Sequence, residues 1–398
     1  MIFVNPPAKV NKDIPNIGLA YAATHYNTRV IDLNTMPEPR DRYLEYREDV
    51  LGISVRSLTY SEAVRIAETY KAKYLNATVK SISGFLDVLC CYPYLNFEDR
   101  IEYSEPFSDS YPFPNYELFD SFPIFQGKWS KGEWNYSIMT SQGCPFQCVF
   151  CASRNRKWKA RTPANCVEEL RQAKEKWGIR SFQIVDDCFN VNKKRAIEFC
   201  NLVKPLKLPW FCTNGVRADL FDEDLARAMV SAGCTQLSFG VESADPTILK
   251  AIKKGETIEQ IGIALDIAKK YFANINTYFI IGLPGSSYEK DLASIKWAVS
   301  KGVNGHFSFY SPFDLNVQYD DMFYGEGVTP KSLEYPRDLQ ERLYNLTRFM
   351  RSDSGLSKPE RIAGKVYLVL RFAPSKFFPH LFSRLARRYN RWRFGGMS

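Results

Sequence analysis

"SQGCPFQCVFCAS" (residues 141–153) places Cys144, Cys148 and Cys151 within eight positions, spaced Cys-x3-Cys-x2-Cys, directly behind the apolar run "NYSIMT" (135–140). Three thiolates can hold a metal, yet closed structural zinc sites take four ligands, usually as paired Cys-x2-Cys knuckles. No fourth Cys or His lies close by. Cys166, fifteen residues on beside a helix start, is the one candidate for closing such a site. A [4Fe–4S] cluster also takes four Cys thiolates as a rule. Three leave one iron open, the logic of a catalytic metal site that keeps a position for an exogenous ligand. Gly143 and Pro145 shape a tight loop, and Phe146, Val149 and Phe150 offer an apolar shell that limits water and tunes a cluster's potential.

The pattern on either side of the loop is regular. "NYSIMT" reads as a strand, and "CVEELRQAKEKW" as a helix closed by Gly178. Then come "SFQIV" (strand), "KKRAIEFCNLV" (helix), "WFCTN" (strand) and "DEDLARAMVSA" (helix, Asp222 as N-cap). "QLSFGV", "IEQIGIALDIAKKY", "NTYFIIG", "YEKDLASIKWAVS" and "GHFSFY" continue the alternation through residue 310. Six strands alternating with five helices demand a parallel sheet with right-handed crossovers, closing wholly or partly into a barrel. Its active site belongs at the C-terminal ends of the strands, where the cysteine loop falls.

Residues 1–102 read as a small α/β unit: strands in "MIFVN", "TRVIDLN", "DVLGISV" and "TVKSIS", helices in "GLAYAATHY" and "SEAVRIAETYKAKY". That alternation favours a parallel, Rossmann-like sheet. Residues 103–134, rich in Pro, Ser and aromatics without a sustained period, read as a linker over the surface. Residues 311–398 are an irregular, mainly helical extension. "KVYLVLRFAPSKFFPHLF" within it is expected to cap the barrel, with peripheral membrane contact as the other reading.

Bulk properties bound the rest. The 398 residues are 45% hydrophobic and 24% charged, enough for real cores. No run is long and apolar enough to span a membrane, and "MIFVNPPAKV" lacks the features of a signal peptide, so a cytoplasmic protein is expected. Ten cysteines in so long a chain are not a disulfide scaffold; Cys90, Cys200 and Cys234 read as core fillers. The formal charge of +9 gathers in "SRLARRYNRWRF", with Arg384, Arg387, Arg388, Arg391 and Arg393. Such a run meets nucleic acid, anionic lipid or an acidic protein, or is a solvated helix; no nucleic-acid partner is firmly implied.

The cysteine spacing, in the loop after the first barrel strand, resembles the signature of the radical S-adenosylmethionine (SAM) superfamily, over roughly residues 135–310. The resemblance implies a partial (βα)6 barrel whose [4Fe–4S] cluster is held by Cys144, Cys148 and Cys151. The open iron would chelate SAM and, with an electron from a donor such as ferredoxin or flavodoxin, yield a 5′-deoxyadenosyl radical. It further implies cofactor contacts at strand ends. Asp186 and Asp187 of "VDDCF" would hold the SAM amino group, and Asn214 and Arg217 of "TNGVRADL" its carboxylate. Glu242 of "FGVESADPTILKAIKKG" would reach the ribose or amino group; Gly282, Pro284 and Gly285 of "FIIGLPG" would flank the adenine, with Phe150 in the shell. Tyr278 and Tyr310 read as core packing, with substrate contact as the alternative.

A small α/β unit ahead of such a barrel resembles the cobalamin-binding subfamily, in which the corrinoid lies between the two sheets. "FVNPP" and "LGISVRSLTY" occupy that family's opening segments, and Asn5, Pro6 and Ser54 would then contact cobalamin. The unit is shorter than usual: the Gly-Gly-x-His segment after "VKSISG" is missing, and His25, His306 and His380 stand in no Asp-x-His-x-x-Gly context. The resemblance implies a methyltransferase acting on an unactivated carbon, such as a protein side chain; one relative methylates a glutamine of methyl-coenzyme M reductase. The alternative is a cobalamin-free enzyme performing oxidation, epimerisation or rearrangement by hydrogen abstraction.

Overall fold

The computed structural model describes residues 1–7, 15–36, 40, 44–45, 48–54, 60–82, 99–101, 107–151, 153–154, 156–310, 323–324, 329–330, 335–347, 350, 363–364 and 366–368. Two parallel sheets organise it. The first contains β1 (Ile2–Asn5), β2 (Val30–Asp32), β3 (Val50–Ser54), β4 (Thr78–Ile82) and β5 (Asp99–Ile101), with α1 (Ile17–Tyr26) and α2 (Tyr60–Lys73) as crossovers. Their order is β2-β1-β3-β4-β5. This is a doubly wound sheet whose order reverses between β1 and β3, and ligands of such sheets bind outside the strand ends at that switch. The expectation of four strands was one short: β5 lies parallel to β4, through Lys80↔Asp99.

The second sheet contains β6 (Tyr136–Ile138), β9 (Phe182–Ile184), β10 (Trp210–Cys212), β11 (Cys234–Glu242), β12 (Ile275–Ile281) and β13 (Asn304–Phe309). A hairpin of β7 (Ser141–Gln142) and β8 (Lys159–Ala160) closes the base of the cysteine loop. The helices are α4 (Pro163–Trp177), α5 (Lys193–Val203), α6 (Glu223–Ser231), α7 (Pro246–Ala251), α8 (Ile258–Tyr271) and α9 (Tyr288–Lys301). Strand order is sequential, β13 to β6, and the two end strands do not pair, so the barrel is partial. Each helix begins on a side-chain cap: Thr162, Asn192, Asp222, Asp245, Thr257 with Gln260 in a capping box, and Ser287. Each cap satisfies amide donors that the first helical turn leaves unpaired. The short α7 was absent from the sequence reading; its six residues give no full amphipathic period.

Residues 107–134 correct the expectation of a surface linker. They contain a 3-10 turn at Tyr116–Leu118 and the helix α3 (Phe122–Lys131). Tyr116, Phe125 and Trp129 are fully buried, and Tyr116 and Trp129 pack against Tyr136 and Trp177 of the barrel. The same core takes in Phe3, Val30 and Ile82 from the first sheet and Leu19 from α1, so the two sheets share one apolar interior. A buried ion pair reinforces the junction. Arg161 meets Glu169 at 2.5 Å and also donates to the Tyr21 hydroxyl of α1 at 3.1 Å, while Tyr136 donates to Glu169 at 2.9 Å.

Past the barrel, α10 (Arg337–Thr347) packs on α9 and β13. Leu343, Met350, Tyr367 and Leu368 belong to the main core, which supports the capping role of this extension. The basic run 383–394 and most of 365–382 lie outside the described residues. Among the described residues no helix is long and apolar enough to cross a membrane.

Candidate active site

The cysteine loop begins where β6 ends and is fastened from beneath. Asp186, at the end of β9, accepts the Thr140 amide and the Thr140 and Ser141 hydroxyls, each at 2.6 Å. It is 2% exposed, and burial raises its pKa despite these bonds. Arg195 donates to the Thr140 carbonyl at 2.7 Å from the other side. Asp187 pins both ends of the loop, accepting the Gly143 amide at 2.8 Å and the Ser153 hydroxyl at 2.5 Å. Both aspartates therefore anchor the loop. Asp187, only partly buried, keeps acceptor capacity for a ligand beside these two bonds.

Gly143 has φ +84°, and a Cβ there would stand 2.4 Å from the Lys157 carbonyl oxygen. Only glycine permits this close pass of the two loop arms. Within the loop, the Arg217 guanidinium stacks on the Phe146 ring at 3.6 Å. Arg217 also makes a bidentate pair with Asp219, at 2.9 and 3.0 Å, and donates to the Lys254 carbonyl at 3.1 Å. It is 7% exposed and props the loop through these bonds. Asn214 is exposed, and its amide nitrogen donates to the carbonyls of Val185 and Asp186.

Two charged groups that act on the Cys148 thiol, Lys254 and Glu256, are not singled out by the sequence. Lys254, 7% exposed, lies 3.2 Å from Glu242 and 3.2 Å from Glu256. It and Arg217 both favour the thiolate of Cys148. Glu256 caps the Arg217 turn by accepting the amides of Ala218 and Asp219. Glu242 ends β11 in the left-handed region at φ +65°, 8% exposed, and burial pushes its carboxyl pKa up against the pull of Lys254. A non-glycine residue held there stores strain of about 1–3 kcal/mol, a cost found at binding and catalytic sites. Gly240 makes room for it, because a Cβ at 240 would meet the Glu242 carboxylate at 2.5 Å. "KKGET" (253–257) carried the missed signal: two cations and an acid between two helices.

Apolar contacts gather the rest. Val149 and Phe150 pack on a cluster of Ile248, Leu249 and Ile252 from α7 and Leu283 from the turn after β12, with Tyr310 against the same cluster. The Val149 amide donates to the Ile252 carbonyl at 2.9 Å. The Gly282–Gly285 turn, half-buried at Pro284, needs left-handed backbone at both glycines, φ +77° and +79°. Phe150, Glu242 and this turn are thus brought to one end of the barrel with the cysteines.

Below them, alternate residues of the strands face the lumen. Gln183 donates to Ser137 at 2.9 Å and accepts from Thr213 at 3.2 Å, and the Tyr278 hydroxyl reaches the Thr213 carbonyl and Ser238. His306 lies 5.7 Å from the Tyr278 ring. Tyr278 is therefore part of a polar floor, not of the apolar core, while Tyr310 packs as expected.

Two observations test whether the loop suits an iron–sulfur cluster. Cys166 is fully buried inside α4, with Arg195 on its sulfur at 3.8 Å, so it does not close a zinc site. Among the described residues no three Cys, His, Asp or Glu side chains converge as ligands of one ion do. The thiolates around a polynuclear cluster each take their own iron and stand apart. Burial raises all three thiol pKa values, that of Cys151 to about 11, so iron must displace the protons on loading.

In the first sheet Asn5 and Ser54 flank the switch point. The amide of Asn16, the N-cap of α1, donates to Asn5 at 3.2 Å and to Ser54 at 2.9 Å, and Asn5 donates to Asp32 at 2.8 Å. Pro6 is buried beside them. The structure joins Asn5 and Ser54 through Asn16, a residue not singled out from sequence. The segments 8–14, 55–59 and 83–98 that follow β1, β3 and β4 lie outside the described residues.

A partial parallel barrel bearing a three-cysteine loop behind its first strand is the arrangement that the resemblance to radical SAM enzymes implies. Residues 138–298 match the Radical SAM superfamily, and the chain carries that family's domain. The domain implies a [4Fe–4S] cluster and SAM. An uncharacterized methyltransferase of Pyrococcus horikoshii is 36% identical over 214 residues, 53% of this chain and 45% of that one. Cytidylyl-2-hydroxyethylphosphonate methyltransferase of Streptomyces wedmorensis is 29% identical over 211 residues, 49% of this chain and 40% of its own length. The chain thus spans less than half the length of these curated relatives. In fold it is similar to TsrM of Kitasatospora setae, a radical SAM methyltransferase solved with cobalamin and a [4Fe–4S] cluster: TM-score 0.66, 15% identity, 98% of both chains. The cobalamin-dependent radical enzyme OxsB matches at TM-score 0.58, 17% identity, over 88% of this chain and 56% of its own.

Proposed function

We propose that this chain is a cobalamin-dependent radical SAM methyltransferase that adds a methyl group to an unactivated carbon. The observation that carries the reading is the open three-cysteine loop at one end of a partial barrel, preceded by a doubly wound sheet. The methyltransferase names of the two curated relatives and the end-to-end fold match to TsrM support it. Once bound, the cluster, SAM and corrinoid supply the radical and the methyl group, and the protein positions them. Cys144, Cys148 and Cys151 would hold three irons. Lys254 and Glu242 present opposite charges suited to the carboxylate and amino groups of SAM, Phe150 and the 282–285 turn a slot for adenine. Asn5, Pro6 and Ser54 would border the corrinoid at the switch point.

Ser137, Gln183, Thr213, Ser238, Tyr278 and His306 form a polar floor joined by hydrogen bonds and a ring contact. A substrate whose reacting end forms hydrogen bonds suits it, and a purely apolar lipid chain does not. A small polar molecule satisfies that chemistry, as does the amide of a protein side chain such as the glutamine of methyl-coenzyme M reductase. Electrons would come from a ferredoxin- or flavodoxin-type donor.

Anaerobic reconstitution with iron, sulfide and cobalamin, then repurification and an ultraviolet–visible spectrum, tests the reading. Corrinoid bands beside broad cluster absorption are expected. A cluster without corrinoid would favour the cobalamin-free oxidation, epimerisation or rearrangement, and absence of a cluster would end both.

A further inference from the structure

The turn that carries Gly282 and Pro284 is tied down from two directions at once. Asp291, in the first turn of α9 and 2% exposed, accepts the Gly282 amide on Oδ2 at 2.8 Å and the Ser286 hydroxyl on Oδ1 at 2.7 Å. The same Oδ2 accepts the hydroxyl of Tyr335. Tyr335 stands 44 positions further along the chain, just ahead of α10. That helix is seated on α9 and β13, with Leu343 and Thr347 fully buried. One carboxylate oxygen is therefore shared between a backbone amide of the turn and a phenol of the C-terminal segment.

This sharing has a physical consequence. A buried carboxylate depends on its donors, and burial already holds the Asp291 pKa above its ordinary value. Removing the phenol leaves Oδ2 short of a donor in a dry site, so the carboxylate must turn or admit water. Either movement slackens its hold on Gly282, whose φ of +77° belongs to no helix or strand.

We propose that Tyr335 is a positioning residue for SAM: acting through Asp291 it sets the Gly282–Gly285 turn, so that seating of α10 and binding of SAM are thermodynamically coupled. The inference rests on the reading of that turn as SAM-facing. Coupling of this kind is reciprocal. SAM must tighten α10 by the same factor by which a seated α10 tightens SAM.

The test uses the full chain with its cluster reconstituted. Tyr335→Phe removes one hydroxyl and keeps the ring. Its SAM Kd, from anaerobic equilibrium dialysis, is expected to rise about tenfold, the scale of one charge-assisted hydrogen bond. Iron content, the cluster spectrum and 5′-deoxyadenosine formation at saturating SAM are expected to match the unaltered protein. Asp291→Asn should weaken SAM binding in the same direction, and the double variant should be no worse than the weaker single one. Hydrogen exchange of the unaltered chain gives an independent reading: SAM should slow amide exchange across 337–347. A SAM Kd for Tyr335→Phe within twofold of the unaltered protein overturns the proposal. So does exchange in α10 that ignores SAM, and that measurement decides alone should the variant not fold. Failure of the unaltered holoprotein to bind SAM would instead sink the reading of the turn, and this inference with it.

Discussion

Replacing Asp186 separates two roles that its position permits. Three donors converge on its carboxylate at 2.6 Å: the Thr140 amide and the Thr140 and Ser141 hydroxyls. Asp186→Ala strands all three. At about 1–3 kcal/mol for each buried donor left unsatisfied the ceiling is high, but two of them are hydroxyls that can rotate to other acceptors. We therefore expect about 3–5 kcal/mol of lost stability, with poor retention of iron because Ser141 leads directly into the cysteine loop. Asp186→Asn keeps the shape and the Thr140 amide bond, exchanges charge-assisted bonds for neutral ones, and should cost about 1–2 kcal/mol. The folded-state pKa of Asp186 is raised above its ordinary 3.8, so its titration favours folding most below that value and loses this contribution as pH rises through the folded pKa. The deficit of Asp186→Asn should accordingly be smaller at pH 7 than in the carboxylate range. Urea unfolding at the two pH values, iron per chain and the SAM Kd form the assay. A variant of unchanged stability and full iron content that loses more than about tenfold in SAM affinity (about 1.4 kcal/mol) would refute the anchoring role and make Asp186 a ligand contact.

Other substitutions probe neighbouring parts of the site. Gly143→Ala demands a left-handed alanine with its Cβ against the Lys157 carbonyl, so the chain should fold with far-ultraviolet dichroism intact but bind well under half the iron; full iron loading would contradict the geometry. Gly240→Ala pushes on the Glu242 carboxylate without touching the core; we expect less than about 1 kcal/mol of lost stability but a SAM Kd raised at least about tenfold, and unaltered affinity would remove Glu242 from the site. Glu242 titrates with a raised pKa, so its charge costs stability above that pKa and none below the unfolded value. SAM-free Glu242→Gln should thus be as stable as the parent or more so at pH 7, an advantage that fades on acidification, while SAM binding weakens. A large loss of stability at pH 7 would show that the pair with Lys254 is structural first.

Much of this architecture is local, and local patterns are legible in a sequence. The helices Lys193–Val203 and Ile258–Tyr271 are legible to the residue because their apolar positions recur at helical spacing, and the structure adds Asn192 and Thr257 as their caps. The three cysteines were legible for the same reason, since a loop of eight residues places its own ligands together whatever surrounds it. Residues 107–134 failed that test. Tyr116 and Trp129 are buried by partners on several sides, so no single face and no period mark them, and proline-rich sequence looked like a surface linker.

The choice of partners for charged side chains was decided by the tertiary structure. Asp186, Asn214 and Arg217 stand at strand ends, and spacing does not reveal the protein groups that hold them: Thr140 from 46 positions earlier, the Val185 and Asp186 carbonyls, and Asp219 with the Lys254 carbonyl. Lys254 and Glu256 come beside the loop because α7 packs against it, and Tyr335 meets Asp291 because α10 docks on α9 and β13. Composition and spacing specify which groups a chain carries and how its nearest neighbours are arranged. A hydrogen bond in a dry interior is strong only at contact distance, and contact between residues tens of positions apart exists only once the sheets have closed.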